Sequence, residues 1–206
     1  MRGLIQNTTA FILAGGFSSR MGTNKALLKI NGKTLIQRQV ELLEKIFVNV
    51  VISANETELY KFTNKEIVND IFPGKGPLAG IHSCLKNSDT EVNFIISCDM
   101  PFISTELLQL LINYKSGAKI ILPKADGKIQ QLCGLYSKKV ISEIERLLEE
   151  SNQKNSRLKG SIFELLERVD HEGIEVMNEE FYHSNLFLNI NTPEDYNYAK
   201  KLFEQN

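Results

Sequence analysis

The feature that most constrains this chain is the alternation of short apolar, β-branched runs with amphipathic stretches. Residues 8–13 (TTAFIL), 48–53 (VNVVIS) and 92–98 (VNFIISC) have the length and composition of strands. The last is almost continuously apolar, which suits a central parallel strand covered on both faces. Residues 67–68 add a shorter extended piece. Between these runs, residues 34–47 (TLIQRQVELLEKIF) place Leu35, Leu42, Leu43 and Ile46 mostly on one helical face, with Thr34 able to cap it. Gly76-Pro77-Leu78 opens a second helix running to about Lys86, with proline at its favoured first position.

Further on, Ser104 or Thr105 caps a helix through Tyr114. Residues 118–122 and 129–136 flank Asp126-Gly127 as a hairpin. Residues 138–150 read as a helix, and Ser161 with Glu164 forms a capping box for another. Residues 187–190 are expected to be a strand, and Thr192-Pro193 to begin the last helix. The pattern predicts an α/β fold. It should be a single three-layer Rossmann-like domain over 1–206, with a mostly parallel mixed sheet in which the hairpin supplies an antiparallel strand. The polar stretch 151–160 (SNQKNSRLKG) is the expected mobile loop.

A chain of 206 residues can bury a substantial core without disulfide or metal staples. Its 24 basic and 25 acidic residues nearly cancel, so no cationic field draws it to nucleic acid or to a membrane surface. No apolar run approaches the roughly 20 residues that span a bilayer, and no secretion signal precedes the first strand. Cys84, Cys98 and Cys133 lack any C-x-x-C spacing, which argues against zinc and for reduced, buried thiols. These observations point to a cytoplasmic protein whose partner is a small molecule or another protein.

In an open α/β sheet, ligands bind beyond the carboxyl ends of the strands. Three polar clusters stand at such positions. The first, "LAGGFSSRMGTNK" (Leu13 to Lys25), offers glycine backbone at Gly15, Gly16 and Gly22 for close approach to an anion. It also offers Arg20 as a fork and Lys25 as a point charge. It is not G-x-G-x-x-G, because Gly15 and Gly16 are adjacent and the next glycine is Gly22. Nor is it an ATPase loop, because Thr23 rather than lysine follows Gly22. The second cluster holds Asp99, a lone carboxylate ending an apolar strand, which either caps the next turn or binds a cation. Facing a phosphate loop, it suits Mg²⁺, which takes one or two carboxylates plus phosphate oxygens. The third cluster is Asn189-Ile190-Asn191-Thr192-Pro193. Cations and metal together fit phosphoryl or nucleotidyl transfer.

"LAGGFSSRMGTNKALLKING", "GPLAGI", "CDMPFI" and "NINTPED", in that order, resemble the molybdenum cofactor guanylyltransferases, within the nucleotide-diphospho-sugar transferase superfamily. The resemblance covers nearly the whole chain and implies GMP transfer from GTP to the molybdopterin cofactor, with Mg²⁺ as cofactor. It implies that Leu13, Ala14 and Gly15 hold GTP, with Gly16 beside them. Lys25 binds phosphate, Asp70 contacts the nucleotide and Asp99 is the magnesium ligand. Arg20, Lys25 and Asp99 form its catalytic set. Asn55, Gly76, Pro77 and Leu78 border the nucleotide, and Asn189 and Asn191 border the acceptor or a second metal contact. It further implies contacts with other cofactor-biosynthesis proteins or with chaperones of acceptor molybdoenzymes.

Two positions depart from the family: Asn24 where Asp often precedes the lysine, and Ser53 where Asn often lies beside the base. A CTP-dependent or sugar-phosphate nucleotidyltransferase, and a non-catalytic GTP- or cofactor-binding module, are the alternatives. His82 reads as structural.

Overall fold

A computed structural model of the protein describes residues 4–15, 24–151 and 160–205. Arg20, Gly16, Gly22 and most of the expected loop at 151–160 lie outside the described residues. In chain order the strands are β1 (Ile5–Leu13), β2 (Lys29–Ile30), β3 (Lys33–Thr34), β4 (Phe47–Ser53), β5 (Glu66–Val68), β6 (Val92–Ser97), β7 (Ile120–Ala125), β8 (Lys128–Ile129), β9 (Cys133–Ser137) and β10 (His171–Glu175). The helices are α1 (Leu35–Leu43), α2 (Gly76–Asn87), α3 (Thr105–Asn113), α4 (Ile141–Glu150), α5 (Ile162–Arg168) and α6 (Pro193–Glu204).

The main sheet runs β10-β7-β9-β6-β1-β4-β5, with β8 hanging on β7. β1 pairs in parallel with both β4 and β6. β4 with β5 and β10 with β7 are also parallel. β9 runs antiparallel to both its neighbours, β6 and β7. The sheet is therefore mixed and mostly parallel on the side where β1 lies.

Period-two alternation sorts the central strands onto two faces. Ala10, Ile12, Val50, Ile52, Phe94 and Ile96 meet α1 and α3 on one side. Phe11, Leu13, Val51 and Ile95 meet α2, α4 and α5 on the other. Helices on both faces make three layers, as the strand–helix alternation predicts. A smaller cluster of Ile30, Leu35, Ile190 and Ala199 docks α6. The capping boxes at Thr34, Ser161 and Thr192 all form.

The structure corrects several expectations. Residues 187–190 form no strand. They turn through Leu186 N–H to His183 O and Leu188 N–H to Asn185 O. Their apolar side chains pack over the sheet and α6 instead, and Asn189 Nδ2 donates to the Phe187 carbonyl at 3.0 Å, a local bond that competes with strand pairing. The strand at that end of the sheet is β10, whose sequence HEGIE buries only Ile174. An edge strand needs little apolar surface, so alternation does not reveal it. The first helix stops at Leu43, because Phe47 is claimed by β4. Asp126 and Gly127 do form the hairpin turn, with φ of 50° and 71°, the left-handed pair of a type I′ turn. The returning strand then breaks at residues 130–132, and β9 pairs centrally.

Candidate nucleotide-transfer site

Three strand ends meet at one edge. Beyond the last paired residues of β1, β4 and β6, the backbone continues in register: Cys98 N–H donates to Leu13 O at 3.1 Å, and Ala14 N–H donates to Ser53 O at 2.9 Å. Ala54 N–H donates to Val68 O at 2.9 Å. The chain thereby opens a cleft of about 720 Å³ whose floor is Leu13, Ala14, Ser53, Ala54, Cys98 and Asp99.

One end of the cleft is charged. Lys25 Nζ donates to Asn191 Oδ1 at 2.6 Å and lies 3.3 Å from Asp99 Oδ2, the two charged side chains being 18% and 14% exposed. Ser97 Oγ donates to the other Asp99 oxygen at 2.6 Å. Thus the Asp99 carboxylate reaches side chains only. Among the described residues neither of its oxygens accepts from a backbone N–H, so it caps no turn; α3 is capped by Ser104. Asn191 arrives without a strand, because Ile190 N–H donates to the Asp99 carbonyl at 2.9 Å. Asp195 holds the same segment by accepting from the N–H groups of Asn191 and Thr192 at 2.9 and 2.8 Å. Burial pushes the Asp195 carboxyl up, but those backbone donors and the Thr192 hydroxyl outweigh it and hold it below its ordinary value.

The other end carries paired hydrogen-bonding groups. Asn55 Nδ2 donates to Asp70 Oδ2, and Asp70 N–H donates back to Asn55 Oδ1, both at 2.9 Å. Ser53, 3% exposed, lies below them. A Cβ on Gly80 would stand 3.8 Å from Ser53 Oγ, 3.7 Å from Asp70 Oδ1 and 3.4 Å from Leu13 Cδ2. The missing side chain at Gly80 keeps this corner open. Gly74 and Gly76 adopt φ of 76° and 73°, where other residues are strained. α2 starts there with no side-chain cap hydrogen bond among the described residues and with Pro77, which has no N–H, in its first turn.

Of the residues expected from sequence, Leu13, Ala14, Gly15, Lys25, Asn55, Asp70, Gly76, Pro77, Asp99 and Asn191 line this one cleft. Leu78 does not; it is 1% exposed and anchors α2 in the core. Asn189 turns back to Phe187 O and is not part of the cleft lining. Tyr60, Glu56 and Leu132 also line it, and no spacing in the sequence points to them. The signal for Ser97 was present, since it stands two residues before Asp99, but a serine in an apolar strand reads as filler.

The three cysteines are free and buried, and burial raises each thiol, Cys84 to about 12. His82 is buried with Nε2 3.2 Å from Glu145 Oε1, as its structural reading expects. Among the described residues no helix is long and apolar enough to cross a membrane, and no three His, Cys, Asp or Glu side chains group as a metal cluster.

Residues 10–169 match the family model of the MobA-like NTP transferase domain. The chain is 35% identical over 201 residues to a protein of Carboxydothermus hydrogenoformans named "Probable molybdenum cofactor guanylyltransferase", covering 97% of this chain and 98% of that one. It is 36% identical over 189 residues to a protein of the same name from Clostridium perfringens, with 91% and 93% covered. Among solved structures, molybdopterin-guanine dinucleotide biosynthesis protein A of Archaeoglobus fulgidus superposes with a TM-score of 0.79 at 26% identity. That match covers 97% of this chain and all of the other.

Proposed function

Because the chain belongs to the MobA-like NTP transferase family, and so is a nucleotidyltransferase, we propose that it transfers GMP from GTP to the molybdopterin cofactor. The products are molybdopterin guanine dinucleotide and pyrophosphate, and residues 1–206 act as one domain. The observation that carries this reading is the polarity of the cleft. A lysine and a carboxylate meet at one end, an amide–carboxylate pair stands at the other, and the strand ends with Leu13, Ala14 and Ala54 lie between them.

The acceptor's terminal phosphate is the nucleophile. It is already ionised, so the reaction calls for no general base, and among the described residues the cleft lining contains no histidine. A phosphate oxygen attacks the α-phosphorus of GTP, a new P–O bond forms, and the bond to the bridging oxygen breaks with its electron pair leaving on pyrophosphate. Catalysis then lies in alignment and in charge stabilisation. Lys25 moves from Asp99 to the phosphate oxygens and neutralises charge passing to the leaving group. Arg20 serves the same charge. The backbone of Leu13, Ala14, Gly15 and Gly16 approaches the nucleotide closely. Asp70, Asn55, Gly76 and Pro77 hold the base and ribose end.

NTP transferases generally use a divalent metal, and the donor set here suits Mg²⁺. Asp99 Oδ2, Ser97 Oγ and Asn191 Oδ1 are hard oxygens, and the one thiol beside them, Cys98, is kept protonated by burial. Asp99 would hold the ion, which supplies Lewis-acid stabilisation of the phosphate oxygens.

The test is pyrophosphate release with GTP, CTP, ATP and UTP, with and without molybdopterin. Thermal shifts with each nucleotide and Mg²⁺ accompany it. A ligand at a hundredfold excess over Kd stabilises the fold by about 2.7 kcal/mol. GTP should give the largest shift and the only acceptor-dependent release. A larger response to CTP would overturn the guanylyl assignment, and nucleotide binding without release would leave a binding module.

A further inference from the structure

Tyr60 lies in the 3₁₀ segment Thr57–Thr63, far in sequence from any motif, yet it is only 1% exposed and stands in the wall of the cleft. That hydroxyl donates to the Ala14 carbonyl at 2.9 Å, at the end of β1. It accepts from Asn24 Nδ2 at 2.8 Å. Asn24 in turn accepts from Ala26 N–H at 3.0 Å through Oδ1, capping the 3₁₀ turn Lys25–Leu27. Lys25 is the first residue of that turn, and its ammonium reaches Asn191 and Asp99.

The donor count fixes every orientation in this chain. A phenol has one proton. Tyr60 gives it to Ala14, so it can only accept from Asn24. The amide nitrogen of Asn24 must then face Tyr60, which leaves its oxygen facing Ala26. Turned over, the amide would set an N–H against an N–H and uncap the turn. Burial also pushes the Tyr60 phenol up to about 12, the hydrogen bond from Asn24 opposing it, so the donor is present across the working pH range.

We propose that Tyr60 is a positioning residue for Lys25: its hydroxyl orients the Asn24 amide, and that amide caps the turn that carries Lys25 into the cleft. The proposal rests on the nucleotide-transfer reading of the cleft. Its distinguishing consequence concerns residue 24. A carboxylate at that position has two equivalent acceptor oxygens and caps the turn whichever way it faces. With aspartate there, Lys25 should no longer depend on the Tyr60 hydroxyl.

The experiment is a double-mutant cycle of Tyr60→Phe with Asn24→Asp, reading kcat/KM for GTP and the ligand-free melting temperature. With Asn24 present, Tyr60→Phe should lower kcat/KM roughly tenfold, the scale of one buried hydrogen bond lost. In the Asn24→Asp background, the same change should cost less than about twofold. With Asn24 present the melting temperature should fall as well, because Ala14 O loses its donor. Equal losses of kcat/KM in the two backgrounds would show a purely structural tyrosine and overturn the proposal, as would an unchanged kcat/KM in Tyr60→Phe. Should Tyr60→Phe melt below the assay temperature, Asn24→Ala removes the same cap with Tyr60 in place. It should cost the same roughly tenfold, and parental activity there would overturn the proposal. A parent protein that turns over no nucleotide would instead refute the reading of the cleft itself.

Discussion

Replacing Asp99 by asparagine separates the metal role of this side chain from any structural one, because the two effects differ severalfold in size. The carboxylate is 3.3 Å from Lys25 Nζ and accepts from Ser97 Oγ at 2.6 Å. The backbone carbonyl, not the side chain, ties residue 99 to Ile190. An asparagine keeps the shape and an oxygen for Ser97, and Lys25 keeps Asn191 at 2.6 Å. What disappears is one partly exposed ion pair, worth about 1 kcal/mol or less. For a chain of this length that is a shift of about 2–4 °C in Tm. On the proposed metal role, loss of the carboxylate should instead cost roughly 10²–10³ in kcat, about 2.7–4 kcal/mol by comparison with losing one preorganised group at developing charge. The assay is initial rate of pyrophosphate release against Mg²⁺ concentration for both proteins, with melting curves alongside. Turnover should collapse in a folded variant, and excess metal should restore it only in part. Superimposable rate curves would refute the reasoning and leave Asp99 as a partner for Lys25 alone.

Lys25→Ala removes a donor to both Asp99 and Asn191. It should reduce kcat/KM by roughly 10²–10³, while Tm falls by a few degrees at most as Asp99 and Asn191 lose this partner; near-normal turnover would leave Lys25 as a structural partner of Asp99 and Asn191 alone. Gly80→Ala should move stability and binding in opposite directions. Its φ is ordinary and its Cβ would make normal contacts at 3.4–3.8 Å, so helix propensity should add about 1 kcal/mol of stability and raise Tm by about 2–4 °C, while KM for GTP rises as the corner fills. A raised Tm with unchanged KM would show that the base does not enter there. Asp195, with its folded-state carboxyl below the ordinary value, contributes stability that is present above about pH 4 and lost as pH falls through the folded value. Asp195→Asn should therefore flatten the acid limb of a Tm-against-pH profile below about pH 4, and an unchanged limb would discount this bond.

The fold was legible wherever burial follows a period. β1, β4 and β6 are flanked on both faces, so their apolar runs announce them, and the helix starts at Thr34, Ser104, Ser161 and Thr192 carry side chains that cap for a stated reason. β10 was not legible, because an edge strand of sequence HEGIE holds its place through backbone pairing to β7 rather than through side-chain burial. The apolar 187–190 stretch misled for the converse reason: burial alone does not imply extension. In the site, glycines and charges at strand ends can be read from local sequence. Tyr60 cannot, since its contacts to Ala14 and Asn24 span 46 and 36 residues of chain. Ser97 stood beside Asp99 in plain view, but only the fold shows that its hydroxyl turns to the same side.

The contact between Lys25 and Asp99 also bears on how the proposed substrates enter. Without ligand, Lys25, proposed to meet phosphate, sits beside Asp99, proposed to hold metal, and Asn191 shares the lysine. A nucleotide binding without metal draws Lys25 away and leaves Asp99, 14% exposed, without its counter-charge. A divalent ion held by Asp99 without nucleotide would leave Lys25 with no phosphate to receive it and two like charges close together. On the proposed roles a metal–nucleotide complex would supply both partners together, a cation for Asp99 and phosphate for Lys25, so that neither charge would be left unpaired. On those roles, the ligand-free ion pair would favour joint entry of nucleotide and metal over either alone.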